Sequence, residues 1–304
     1  SNTLVDLVRG EEGTIVKIEF KRGDELVNLD ITRGPINNTA YGKMLDSDTA
    51  YLEIYQFGTS TSSEVTQYLE EFKAANATNI LIDLRDNGGG YLTSLEEMGS
   101  LFLPVGDVLI QQLTRDGQTL VSKSKGNMVM VFDQIVILIK ENREATVVGV
   151  VSYGKGTVQQ QYPFSDGSSL KYTVAEWLTP DGNHINGVGI TPDVIVEQHP
   201  VMSRTFTPLN DGESYAYDQV HASVEDAQLS LDFLGYAVDR TDGYFSLSTQ
   251  NALLSFEKDK GLSEDGLVSK EVLSSLISEV VRVWHVQNDL KDTQKIEGLK
   301  LLNE

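Results

Sequence analysis

Two short segments carry residues that could do chemistry. The first is Asp83-Leu84-Arg85-Asp86-Asn87-Gly88-Gly89-Gly90, where an apolar run ends in acids, an arginine and three glycines. Consecutive glycines let the backbone turn tightly and leave N–H groups facing outward. Such amides can hold an anion, either a phosphate or the oxyanion of acyl transfer. Read alone, the segment is equally a plain strand-to-helix turn. The G-x-G-x-x-G spacing of a dinucleotide fingerprint is absent. The second segment is Ser152-Tyr153-Gly154-Lys155-Gly156-Thr157-Val158-Gln159. A lysine kept from water by packed apolar neighbours favours its neutral amine, which can take a proton from a nucleophile. The plainer alternative is a solvated loop lysine between two turn residues. The glycine spacing of a Walker phosphate loop fails here too.

Each segment follows an apolar strand. Residues 79–84 are nearly all apolar, as expected of a strand covered on both faces, and 134–139 and 145–151 read as two more buried strands. A strand over 50–55 precedes a helix capped by Ser62 or Ser63, with Val65, Tyr68, Leu69 and Phe72 on one face. A further helix is expected over 93–102. This alternation predicts a layered α/β core. Upstream, 3–9 reads as a helix, and 14–20 and 26–32 alternate as half-buried strands do. That part is too short to fold alone. Downstream, Pro208 and Gly212 mark a linker over 205–213, and helices are expected over 224–234, 248–259 and 270–284, with turns at Asp242-Gly243 and Asp265-Gly266.

Composition narrows the partners. The 304 residues suggest two or three domains. The net charge is −21 and no Lys/Arg-rich run interrupts it, which argues against nucleic acid. There is no cysteine, so disulfides and thiolate metal sites are excluded. His184, His199, His221 and His285 form no pair at metal-ligand spacing, which argues against a zinc hydrolase. No apolar run is long enough to span a bilayer.

Taken in series, four motifs resemble the carboxyl-terminal processing, or tail-specific, peptidase family of Ser–Lys serine proteases. That family's Asp-Leu-Arg-x-Asn-Pro-Gly-Gly pattern matches Asp83 to Gly90, with Gly88 in place of proline. Its Phe/Tyr-Gly-Lys-Gly-Thr/Ser-Val-Gln pattern matches Tyr153 to Gln159. Its Leu-Thr-Pro-x-Gly and Gly-Ile-x-Pro-Asp patterns match Leu178 to Gly182 and Gly189 to Asp193. The region from 220 to about 280 resembles a peptidoglycan-binding helical module, through Ala227, Gln228, Leu231, Leu234, Gly235 and the Asp-Gly turns.

The resemblance implies an α/β fold: a crotonase/ClpP-like spiral of β–β–α units at 35–205, the back part of a PDZ domain at 3–34, and a helical peptidoglycan-binding-like domain with a C-terminal tail at 211–304. It implies Lys155 as general base, Gln159 as its orienting partner, and an amide of Gly89 or Gly90 in the oxyanion hole. The nucleophilic serine belongs on a segment expected between Ile139 and Lys140, yet Ile139 runs directly into Lys140. Ser152, on the lysine's own loop, is in the wrong place. The implied activity is a PDZ-gated serine endopeptidase cleaving exported proteins near their C-termini. It needs no cofactor or metal. Its partners would be a protein or peptide with a free C-terminus and cell-wall peptidoglycan, and a homodimer is allowed. The implied location is extracytoplasmic, anchored to the membrane by a removed N-terminal segment and facing the wall. The competing expectation is a catalytically inactive homologue acting as a wall-binding or scaffolding protein.

Overall fold

The computed structural model describes residues 8–11, 13–22, 25–34, 38–138 and 145–303. The helix expected over 3–9, apart from its last two residues, and the junction of Ile139 with Lys140 lie outside the described residues.

Strands β1 (Ile15–Arg22) and β2 (Glu25–Thr32) form an antiparallel hairpin. Strands β3 (Ala40–Met44) and β4 (Thr49–Ile54) lead to helix α1 (Thr61–Ala74), strand β5 (Asn79–Asp83) and helix α2 (Leu92–Gly99). Next come β6 (Val108–Thr114), β7 (Thr119–Lys123), β8 (Gln134–Leu138) and β9 (Thr146–Gly149), then β10 (Thr157–Pro163), β11 (Ser169–Leu178) and β12 (Val194–Ile195). The remainder comprises β13 (Ser214–Tyr215), α3 (Ala222–Leu234), α4 (Leu247–Lys260), β14 (Val268–Ser269), α5 (Lys270–Val286), the single turn α6 (Asn288–Lys291) and α7 (Thr293–Leu301).

The central sheet has the order β12-β9-β8-β5-β4-β3. All neighbours are parallel except β3, which runs antiparallel to β4. Successive strand residues point to opposite faces, and both faces are apolar. On one face Leu52, Ile80 and Ile82 pack against Val65, Leu69 and Phe72 of α1. On the other, Tyr51, Leu81, Val136, Leu138 and Val148 meet Leu302, with Leu299 and Leu301 beside it. The two-sided covering that the composition of 79–84 demands is thus supplied by α1 in front and α7 behind.

Three local features differ from the sequence reading. Helix α1 begins at Thr61, with Ser60 at its N-cap position. The buried Thr61 hydroxyl accepts from the Gly58 amide at 2.8 Å, which ties the first turn down ahead of Ser62. A second, antiparallel sheet of order β10-β11-β6-β7 stands beside the core, although its strands lack clean alternation. The stretch expected as a linker lies against α3. Arg204 pairs with Glu225 and Asp226, the Thr207 amide donates to Asp226, and Leu209 is buried.

The helical module has its own core, in which Val224, Ala227 and Leu231 meet Leu253, Phe256 and Leu276. Its helices start where Ser246 and Ser269 accept the amides of Thr249 and Val272. The chain then returns to the first domain. Gly298 lets α7 lie close on the sheet, since a Cβ there would stand 2.9 Å from the Leu81 Cδ1.

Candidate active site

The core strands β5, β8 and β9 lie side by side and parallel, with Asp83 opposite Leu138 and Leu138 opposite Val148. Their carboxyl ends therefore share one edge of the sheet, where loops of a parallel α/β sheet gather a site. The glycine turn leaves β5 at this edge and the lysine loop leaves β9. β8, whose chain continues towards the junction of Ile139 with Lys140, stands between them.

The glycine turn is held from several directions. The Asn87 side chain donates to the Ile54 carbonyl at 2.9 Å and accepts the Gly89 amide at 2.8 Å. Phe57 donates to the Gly89 carbonyl at 2.9 Å and accepts the Tyr91 amide at 2.7 Å. Gly89 and Gly90 have φ of +94° and +148°. A Cβ on Gly90 would come within 2.2 Å of the Phe57 carbonyl oxygen, so only glycine fits. Of the two candidate oxyanion amides, that of Gly89 is already bonded to Asn87. The Gly90 N–H, on an exposed residue, has no hydrogen bond among the described residues.

Asp83 and Arg85, in the same motif, face inward. Asp83 accepts from the Tyr51 hydroxyl at 2.9 Å and from Arg85 at 2.6 and 2.9 Å. The other side of the Arg85 guanidinium donates twice to Asp292, both at 2.7 Å. Burial, with the neighbouring Asp83 carboxylate, pushes the Tyr51 hydroxyl well up from its ordinary value. Burial would also raise Asp292, but the Arg85 guanidinium outweighs it and holds that carboxyl below the usual range. Lys155 has neither Asp83 nor Asp86 as an ion-pair partner.

The lysine loop is clamped by the turn over 185–190. Ser152 exchanges backbone and side-chain bonds with Ile190 at 3.0 and 2.9 Å, so its hydroxyl is structural. The Gly187 amide donates to the Gly154 carbonyl at 2.9 Å. A Cβ on Gly156 would meet the Asn186 nitrogen at 2.2 Å. Lys155 itself is exposed and makes no hydrogen bond or ion pair among the described residues. Gln159 is exposed on β10, at a bulge against β11, and no hydrogen bond joins it to Lys155.

Beside the glycine turn opens an apolar cavity of about 350 Å³, lined by Phe57, Leu84, Met98, Phe102, Leu109 and Trp177 among others. It suits an apolar side chain. The described residues contain no cluster of His, Asp and Glu able to hold a metal, and no helix among them is long and apolar enough to cross a membrane. Sequence reasoning missed Asp292 and Tyr51. The available signal for Asp292 was its place as an N-cap acid just before a helical stretch.

Residues 48–196 match the profile of peptidase family S41, and residues 220–276 match that of a peptidoglycan binding domain. The carboxy-terminal processing protease CtpA of Bacillus subtilis is 30% identical over 315 residues, covering 98% of this chain and 67% of that protein. CtpB of the same organism is 30% identical over 321 residues, covering 99% and 66%. A CtpA-like serine protease of Staphylococcus epidermidis is 28% identical, and the chain spans 63% of its length. Among solved structures, the photosystem II D1 C-terminal processing protease superposes with a TM-score of 0.47 at 22% identity, over 64% of this chain and 58% of that one.

Proposed function

The chain belongs to peptidase family S41, with the carboxy-terminal processing serine proteases, and from that premise we propose that it is a Ser–Lys endopeptidase cleaving exported proteins near their C-termini. Lys155 is the general base, Gln159 orients it, and the Gly90 amide is one donor of the oxyanion hole. The serine arrives on a segment entering between Ile139 and Lys140.

One observation carries the reading. The order β9-β8-β5 sets the lysine loop and the glycine turn on either side of the strand after which the nucleophile is expected. A serine carried on from β8 would rise between its base and its oxyanion donor. The apolar cavity beside the turn would then seat an apolar side chain of the substrate.

The hairpin β1–β2 supports a gating PDZ domain. Two strands alone are marginal in water, and here Ile15, Leu26, Leu29 and Ile31 stay exposed, as strands awaiting the rest of a domain would. The region 220–276 would hold the enzyme at the cell wall by binding peptidoglycan.

The test begins with the gene sequence across codons 139 and 140. The complete protein is then assayed on a peptide with an apolar C-terminus, with and without Lys155→Ala. Cleavage that depends on Lys155 supports the reading. A direct Ile139–Lys140 junction together with absent cleavage would replace it with the inactive wall-binding homologue.

A further inference from the structure

We propose that Asp292 is a positioning residue for this reaction: through Arg85 it fixes the turn that presents the Gly90 amide. The inference rests on the peptidase reading given above.

The Asp292 side chain is 1% exposed and that of Arg85 is 19% exposed. A buried carboxylate persists only when paired and hydrogen-bonded. Asp292 is fully committed. One oxygen takes Arg85 Nη1 at 2.7 Å, Gln198 Nε2 at 2.5 Å and the Lys295 amide at 3.0 Å. The other takes Arg85 Nη2 at 2.7 Å. Capping α7 requires only the Lys295 bond, which a neutral asparagine could also supply. The two-pronged grip on Arg85 therefore exceeds what the helix needs.

That grip bears on the oxyanion turn through a short path. The Arg85 amide donates to Asp83 at 3.1 Å, and the Asn87 amide closes on the Leu84 carbonyl at 3.1 Å. Asn87 in turn holds Ile54 and Gly89, which leaves the Gly90 amide free. Asp83 grips the guanidinium from the strand side alone. With Asp292 opposite, both edges of the planar fork are occupied, and its orientation is set. Asp292 stands beyond the helical module in sequence, so the chain's last helix helps to aim an amide in its first domain.

The test uses the complete chain with Asp292→Asn, which keeps cap and volume but loses the charge, and Asp292→Glu, which restores the charge. Amide hydrogen exchange is read over residues 84–91 and over α7. Loosening of the turn in Asp292→Asn, by about tenfold in exchange rate, with α7 unchanged and with recovery in Asp292→Glu, supports the proposal. On peptide substrate kcat should fall about tenfold while KM stays within about twofold. An unchanged turn overturns it. So does equal loosening of α7 and the turn in both variants, which would make Asp292 merely structural. Failure of the peptidase reading shows separately, as a wild type without turnover or a Lys155→Ala variant as active as the wild type. The exchange measurement still judges Asp292 in that case.

Discussion

Arg85 and Asp292 stand 207 residues apart in the chain and 2.7 Å apart in space. The pair ties the motif that follows β5 to the N-terminus of α7. Its energetics are those of a buried pair, in which losing one partner strands the other.

Arg85→Met should therefore destabilise the protein by about 3–5 kcal/mol at neutral pH. The pH dependence follows from the lowered Asp292 carboxyl. A carboxylate held below its unfolded value contributes stability above that value and loses it as pH falls through the folded one. The wild type thus loses this contribution in acid, while the stranded carboxylate of the variant is relieved by protonation. Urea unfolding at pH 7 and pH 3, below the ordinary carboxyl value of 3.8, should show the gap between the two proteins narrowing at the lower pH.

Lys155→Ala should abolish turnover, by a factor on the order of 10⁴. Lys155→Arg should fail equally, since a guanidinium stays protonated and cannot act as base. Because Lys155 is exposed and unpaired among the described residues, both variants should unfold within about 0.5 kcal/mol of the wild type. Paired steady-state kinetics and denaturation measure this, and an active arginine variant would sink the assignment.

The three glycines of the turn should separate. Gly90→Ala places a Cβ against the Phe57 carbonyl at a φ of +148° and should cost about 1–3 kcal/mol along with most of the activity. Gly88→Ala meets no atom within 4 Å and needs no positive φ. It should be neutral or stabilising by up to about 1 kcal/mol. Thermal melts with kcat for each variant give the comparison.

In the helical module, Glu279 should set an acid limb of its own. Hydrogen bonding from Arg282, aided by Lys260 against the cost of burial, lowers its carboxyl from 4.5 to about 2. The stability it adds is complete above 4.5 and drains away as pH falls towards 2. Glu279→Gln should flatten the melting temperature of the module over that window. An unchanged slope would show that the pairing carries no net weight.

The parallel core was legible because its strands are apolar on both faces, and a run such as 79–84 suits few other environments. The helices from 222 to 286 were legible as stretches set apart by the turns at Asp242-Gly243 and Asp265-Gly266. The antiparallel sheet of β6, β7, β10 and β11 escaped notice because many of its residues are exposed on both faces, so alternation carries no signal. Of the proposed site, the glycine turn and the lysine loop were visible as turns after apolar strands, and their roles follow from the family resemblance, not from spacing. The choice of the Gly90 amide over that of Gly89 depends on where one asparagine side chain turns, and Asp292 depends on a contact across two hundred residues. The first leaves no local pattern, and the N-cap position of Asp292 marks a helix start without revealing its partner.

Gly298 resting on Leu81 has a consequence for how the protein is made. The rear of the central sheet stays wet until residues near 298 have left the ribosome, well after the stretch matched by the peptidase family profile, 48–196, has been synthesised. Such long-range closure slows folding. It also makes completion a condition of order: a chain interrupted within the helical module would carry a sheet with one bare apolar face, a ready substrate for quality-control proteases instead of a protease at large.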